Sequence, residues 1–486
     1  MQYRKRFAAL ALAIAFIAAP VFAQSVERAK YVFVFIGDGM SMAQVSAAEV
    51  YARSMAGTSP GFVKLGFTQF PAQGLTTTYD STSIITDSAS AGTAIATGNK
   101  TASGVINMDP GKTIRFKTIA EYAKEAGMRV GIVSNVSLDH ATPAAFYAKV
   151  PSRGDIYDIC VQLAASGFDY FGGGGLSQPK GKLGDQPDAV EMARRAGYTV
   201  VTSAAAFRAL KPVAGQKVLA MNETLQDSSS MPYEIDREEG DLSLADYVAK
   251  GIELLFNPKG FFFMVESGKI DWACHANDAA ASIGDTLAFD RAIAKAMEFQ
   301  KKYPKDTLII VTGDHETGGM SIGFAGTKYS TAFGRIALQK GSYVQFDSQV
   351  IAGYKDGRTI ADANLADILP EIKRFFGIDY AALSQAEQEM IQRSFIRTMK
   401  GEVERAAQES VYLMYGGYEP LTVTLTHIAN QAAGIGWTTY SHTGIPVPTY
   451  ALGRSQALFD GYYDNTEIFT KLAAVMGIKL PAAVKK

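Results

Sequence analysis

A chain of 486 residues, 47% hydrophobic and 20% charged, can bury a large core, which excludes a disordered, collagen-like or coiled-coil protein. The formal net charge of −1 lacks the basic surplus of a nucleic-acid surface, so no nucleic-acid partner is expected. Two cysteines, Cys160 and Cys274, permit one disulfide at most, and the sequence leaves their pairing open.

The chain opens with Arg4, Lys5 and Arg6, an apolar run from Phe7 to Ala19, and Val21-Phe22-Ala23 as a small-residue cleavage site. This pattern predicts a signal peptide over residues 1–23, export to the periplasm or beyond, and no stable membrane anchor after cleavage. Removing three bases and no acids moves the net charge to −4. Residues 24–486 are expected to form a single catalytic domain.

Short apolar runs predict strands at Tyr31–Ile36, Met128–Ser134, Tyr198–Thr202, Lys217–Met221, Phe261–Val265, Thr307–Thr312 and Val447–Leu452. Helical patterns fall at Ser41–Arg53, Thr118–Ala126, Ile156–Ala165, Leu242–Leu255, His275–Phe299 and Thr466–Met476. Alternation of the two predicts an α/β fold, a large and mostly parallel central sheet with helices on both faces. Phe171 to Gly175 reads as a loop, and Gly37-Asp38-Gly39 lacks the third glycine of a dinucleotide fingerprint. From about residue 329 to 436 the pattern changes to an inserted subdomain with helices at Ile360–Phe376 and Ser384–Thr398.

Acids and imidazoles gather where strands end. Asp38 follows the first strand, Glu266 ends another, and Asp314-His315 follows a third. Open α/β sheets bind ligands at those carboxyl ends. Asp271 and His275 are four apart, a spacing that sets two ligands on one helical face. His442 adds a third imidazole before the last strand. Nitrogen and oxygen donors without thiolates suit zinc, and three Asp, one Glu and three His suffice for two such ions and an oxygen-rich magnesium site. Cys274 is not expected to ligate, since adjacent helical residues face different ways. His427 has no partner string and reads as structural or exposed.

Ser88, in Thr86-Asp87-Ser88-Ala89-Ser90-Ala91-Gly92-Thr93, opens a small-residue helix whose N-terminal N–H groups favour an anion. It is a candidate nucleophile, with simple helix capping as the alternative. No G-x-S-x-G elbow surrounds it, so a metal rather than a His base would activate it. Arg153 sits in a loop where its planar fork could grip a tetrahedral anion.

Taken in order, the Asp38 string, Asp87-Ser88, Ala141-Thr142-Pro143, Arg153, Glu266 with Asp271 and His275, Asp314-His315 and His442 resemble the alkaline phosphatases, from about Lys30 to Gly453. The resemblance implies a phosphomonoesterase acting on small phosphate esters in alkaline solution. It assigns Ser88 as the nucleophile that becomes phosphoserine, Arg153 as the phosphate clamp, and Asp87 as its orienting partner. One zinc would be held by Asp271, His275 and His442, the second by Asp38, Asp314 and His315, and magnesium by Asp38, Thr142 and Glu266. A homodimer is implied as well.

Two positions depart from the best-known bacterial pattern. His140 stands in place of an Asp and Trp272 in place of a Lys, a pairing similar to that of some bacterial members. His140 is expected beside the magnesium ligands without coordinating, and Trp272 beside the phosphate. A phosphodiesterase or sulfatase sharing the metal set is the first rival, and a phosphate- or zinc-capturing periplasmic binding protein is the second.

Overall fold

The computed structural model describes residues 26–57, 60–401 and 409–481, so the expected signal peptide lies outside the described residues. Fourteen strands run through them in chain order. They are β1 Tyr31–Gly37, β2 Ala72–Thr77, β3 Arg129–Ser134, β4 Tyr170–Gly173, β5 Tyr198–Val201, β6 Lys217–Met221 and β7 Phe261–Ser267, then β8 Thr307–Gly313, β9 Glu316–Thr317, β10 Ser321–Ile322, β11 Ile435–Gly436, β12 His442–Thr443, β13 Val447–Gly453 and β14 Gly461–Asp464. Ten of these make one sheet in the order β14-β2-β13-β8-β1-β7-β3-β4-β6-β5. Only β13 runs against its neighbours, pairing antiparallel with both β8 and β2.

The central strands are apolar without a break because both faces of the sheet are covered. In β1, Val32, Val34 and Ile36 enter one core while Tyr31, Phe33 and Phe35 enter the other. β7 divides likewise, with Phe262 and Met264 on the first face and Phe261, Phe263 and Val265 on the second. Each such side chain contributes about 1.5–3 kcal/mol through burial. The register sets Ile36 and Ser134 on either side of Glu266, and Gly37 level with Gly313. The residues after β1 and β8 and at the end of β7 therefore emerge on one edge.

Three strands of the ten-stranded sheet differ from the sequence expectation. Tyr170–Gly173 is a strand rather than part of a loop, and its glycines are there for contact. Gly173 has φ +124°, and a Cβ on it would lie 1.8 Å from the carbonyl oxygen of Ser134. β2 and β14 are edge strands with too few apolar residues to stand out. The long helix expected over His275–Phe299 is two helices, Lys269–His275 and Ala279–Lys302. Asn277 breaks it at φ +50°, and Asp278 caps the second helix by accepting from the Ala281 N–H at 3.1 Å.

Between residues 329 and 436, helices at Leu365–Phe376, Gln385–Lys400 and Pro420–Ala433 close on an apolar cluster of their own that includes Phe346, Ile372, Phe375, Ile391, Phe395 and Leu425. Cys160 and Cys274 are both free and buried. Among the described residues, no helix is long and apolar enough to cross a membrane.

Candidate metal centre

Asp38 is delivered by β1 through a turn that only glycine permits at residue 39. Gly39 has φ +70°, and a Cβ there would meet the Asp271 backbone at 2.8 Å. Asp38 is fully buried between two hydroxyls, with Ser88 Oγ donating to Oδ1 at 3.5 Å and Thr142 Oγ1 to Oδ2 at 3.1 Å. Asp314 leaves β8 one register step away and accepts from the Gly39 N–H at 3.1 Å, which ties the two strand ends together. His315 follows, with Nε2 at 3.3 Å from Asp38 Oδ1, 3.4 Å from Asp314 Oδ2 and 3.2 Å from Ser88 Oγ.

Ser88 opens the Ser88–Thr97 helix and Asp87 caps it. Asp87 accepts from the Ser90 N–H at 3.1 Å, from the Gly104 N–H at 3.0 Å and from Arg153 Nη1 at 2.9 Å. Burial alone would raise its pKa, but the Arg153 charge and these hydrogen bonds outweigh it and hold the carboxyl well below the usual range. The other guanidinium nitrogen, Nη2, lies 3.0 Å from His140 Nε2. Arg153 is thus fixed at both ends.

On the opposite side, Asp271 and His275 share the Lys269–His275 helix, with His275 Nε2 3.3 Å from Asp271 Oδ2. His442 on β12 completes the cluster, its Nε2 3.2 Å from His275 Nε2 and 3.7 Å from Asp271 Oδ1. Its ring stacks on His315 at 3.6 Å between centroids. The second nitrogens explain the orientation of all three rings. His275 Nδ1 meets the Tyr440 carbonyl and His442 Nδ1 the Thr86 carbonyl, both at 2.7 Å. A carbonyl only accepts, so each Nδ1 carries the proton and each Nε2 turns a bare lone pair inward. His315 Nδ1 lies 3.2 Å from the Thr317 hydroxyl, which itself donates to Asp271 Oδ1. Burial and the neighbouring imidazoles keep His315 neutral, and burial does the same for His442.

Such a set is poorly matched to protein partners alone. Facing lone pairs on His275 and His442 repel, and the buried Glu266 Oε1 and Asp314 Oδ2 have no hydrogen-bond partner. Burial, then repulsion from Asp314, Asp271 and Glu266, pushes the Asp38 carboxyl far up, and Asp314 is pushed up to about 8. Divalent cations resolve all of these conflicts, so the donors fit metal ions. Three groups of donor atoms converge closely enough to hold one: Asp271 with His315 and His442, Asp38 with Asp314 and His315, and Asp38 with His140 and Glu266.

His140 differs from the other donors. Arginine only donates, so the Nε2 facing Arg153 is the acceptor and Nδ1 carries hydrogen, pointing toward Glu266 Oε1 at 3.6 Å. In that state it offers the carboxylates an N–H rather than a lone pair. Trp272 packs edge-on against the His140 ring, with 5.8 Å between centroids. All thirteen residues singled out from the sequence therefore converge on one edge of the sheet. Sequence reasoning missed Thr317, Ser134, whose hydroxyl donates to Glu266 Oε2, and Glu316, which accepts from Gln44 Nε2 at 2.9 Å and from Thr443 Oγ1. The only signal for Thr317 and Glu316 was their place in the Asp314-His315-Glu316-Thr317 string. Cys274 lies instead beside Ser282 and Gln44. His427 is partly buried, with Nε2 3.0 Å from Asn277 Oδ1.

Comparison with known proteins agrees with this geometry. A family model described as alkaline phosphatase matches residues 29–478. Alkaline phosphatase 4 of Bacillus subtilis is 31% identical over 459 residues, covering 91% of this chain and 88% of that protein. Among solved structures, a cold-active alkaline phosphatase from Shewanella sp. superposes with a TM-score of 0.75 at 28% identity, covering 92% of this chain and 99% of that one. A TAB5 alkaline phosphatase variant with magnesium bound in its M3 site has a TM-score of 0.63 at 25% identity, covering 94% and 100%. The chain belongs to the alkaline phosphatase family of metal-dependent phosphomonoesterases.

Proposed function

We propose that this enzyme is exported and hydrolyses phosphate monoesters through a phosphoserine on Ser88, with two zinc ions and one magnesium ion, as a homodimer in the periplasm or outside the cell. Asp271, His275 and His442 would hold one zinc, and Asp38, Asp314 and His315 the other. Asp38, Thr142 and Glu266 would hold magnesium, with His140 Nδ1 beside them at 3.6 Å from Glu266 Oε1. Residues 329–436 are taken as an inserted subdomain on a single catalytic domain. When bound, the ions supply the positive charge that favours a serine alkoxide and neutralises the phosphoryl oxygens.

The chain's own groups do the rest. Ser88 Oγ, at the start of a ten-residue helix, forms a bond to phosphorus as the bond to the alcohol oxygen breaks. Arg153, held by Asp87 and His140, binds two nonbridging oxygens while a third faces the acids and imidazoles, a set of three that a monoester has and a diester, with two, lacks. Water then cleaves the phosphoserine, and the two inversions retain configuration at phosphorus.

The observation that carries this reading is Ser88 Oγ at 3.2 Å from His315 Nε2 and 3.5 Å from Asp38 Oδ1, inside a donor set that fits metals. A protein that only captured phosphate or zinc would need no serine there. The test is hydrolysis of p-nitrophenyl phosphate, its bis-ester and the sulfate, with and without chelator, beside Ser88→Ala. Monoester cleavage that the chelator and the substitution both abolish, with stoichiometric phosphate labelling of the wild type alone, is the expected outcome. A preference for bis-ester or sulfate would overturn it.

A further inference from the structure

Arg153 and His140 also line a pocket of about 410 Å³, within the size range of small-molecule sites. Its wall includes Trp272, Ser137, Gln178 and Ser228. Among the described residues, the side chains of Ser137, Gln178 and Ser228 make no hydrogen bond, which leaves two hydroxyls and an amide available to a ligand. The loop carrying Ser228 is strained into place, with φ +49° at Ser228 and +60° at Ser229. It is anchored by Lys269, a fully buried cation that donates to Asp227 Oδ1 at 2.6 Å and Ser230 Oγ at 2.8 Å. The same ammonium lies 5.1 Å from the Trp272 ring. One buried lysine thus supports both the serine loop and the indole.

We infer that this pocket receives the alcohol portion of the substrate and selects neutral, hydroxyl-rich alcohols, namely sugar and polyol phosphates. The inference rests on the phosphomonoesterase reading above. The chemistry of the wall narrows the class. A second phosphate would need an uncommitted cation, yet the only basic side chain of the wall besides His140 is Arg153, already given above to the reacting phosphoryl group. Asp139, the one acid, already accepts from the Ser177 N–H at 2.7 Å and from Cys160 Sγ at 3.1 Å, so a cationic alcohol finds no free carboxylate. An aliphatic alcohol would leave the open hydroxyls and amide without partners. An indole among hydroxyl and amide groups instead suits a sugar, whose C–H faces pack on the ring while its hydroxyls pair with the side chains.

The test compares kcat/KM for glucose 6-phosphate and p-nitrophenyl phosphate in the wild type, Gln178→Ala, Ser228→Gly and the double variant. Glycine removes the hydroxyl and accepts the positive φ, so the loop keeps its path. The expected result is a fall of roughly tenfold in the sugar-to-aryl ratio for the double variant, carried mainly by KM. Wild-type turnover of both substrates with a ratio that the variants leave unmoved overturns the pocket assignment alone. Failure of the zinc- and magnesium-loaded wild type to turn over either substrate overturns the phosphomonoesterase reading on which it rests.

Discussion

The Thr317 hydroxyl donates to Asp271 Oδ1 while its oxygen lies 3.2 Å from His315 Nδ1, so one side chain ties a residue of the first proposed zinc site to a residue of the second. Its proton leaves toward the acid, and the imidazole proton arrives from the other side. That polarity fixes the His315 tautomer. Thr317→Val, similar in shape but without the hydroxyl, is expected to weaken zinc binding by about 10–100-fold, while Thr317→Ser retains most of it. Competition with a chromogenic chelator measures this, and equal affinity in all three proteins would show that the hydroxyl does not orient the ligands.

Arg153 spans from Asp87 to His140 with one nitrogen on each, and its value lies in that planar fork. Lysine keeps the charge but cannot reproduce the geometry. Arg153→Lys is expected to raise both KM for p-nitrophenyl phosphate and the inhibition constant of inorganic phosphate by roughly tenfold or more. Steady-state kinetics with phosphate as inhibitor check it, and unchanged phosphate inhibition would remove Arg153 from the phosphate site.

Metal removal should be read in stability as well as rate. The buried acids and inward lone pairs lose their counter-charge on chelation, and a ligand at 100 times its Kd stabilises the folded state by about 2.7 kcal/mol per site. Treatment with chelator is expected to lower the melting temperature by several degrees and abolish hydrolysis, and zinc with magnesium restores both. Scanning calorimetry in the two states decides it, and an unchanged melting temperature would contradict cation binding among these groups.

Asp347, outside the candidate metal centre, gives a pH prediction free of the metals. Burial pushes its carboxyl up to about 7 against the opposing hydrogen bond from Thr422 Oγ1. The folded state therefore holds a proton that the unfolded state has released between about pH 4 and pH 7, and stability falls as pH rises through that window. Above it the ionised acid remains buried at a cost on the order of 1 kcal/mol or more. Asp347→Asn is expected to raise the melting temperature at pH 9 relative to the wild type, and by less at pH 5. Parallel melting curves for the two proteins across that range would sink the assignment.

Much of this arrangement is legible in the sequence because its ligands sit at the ends of apolar strands. Tyr31 to Ile36 and Thr307 to Thr312 announce themselves by composition, and Asp38, Asp314 and His315 follow within two or three residues. What escaped depends on contacts distant in sequence. Gly173 is in a strand because the Ser134 carbonyl passes against it, which no local pattern encodes. The break at Asn277 is hidden because the alanine-rich run after Asn277-Asp278 continues the helical pattern of the residues before it. Thr317 and Ser134 act through hydroxyls on Asp271 and Glu266, and a lone threonine or serine carries no positional signature until the chain is folded.

Asn277 has one more effect. Its side chain donates to the carbonyls of Cys274 and Thr439, its Oδ1 meets His427 and its own carbonyl accepts from Asn430 at 2.6 Å. The helix bearing Asp271 and His275 is thereby clasped to the Pro420–Ala433 helix. Exchanging His427 or Asn430 is therefore expected to loosen the helix that carries Asp271 and His275, from which they are separated by some 150 positions in the chain.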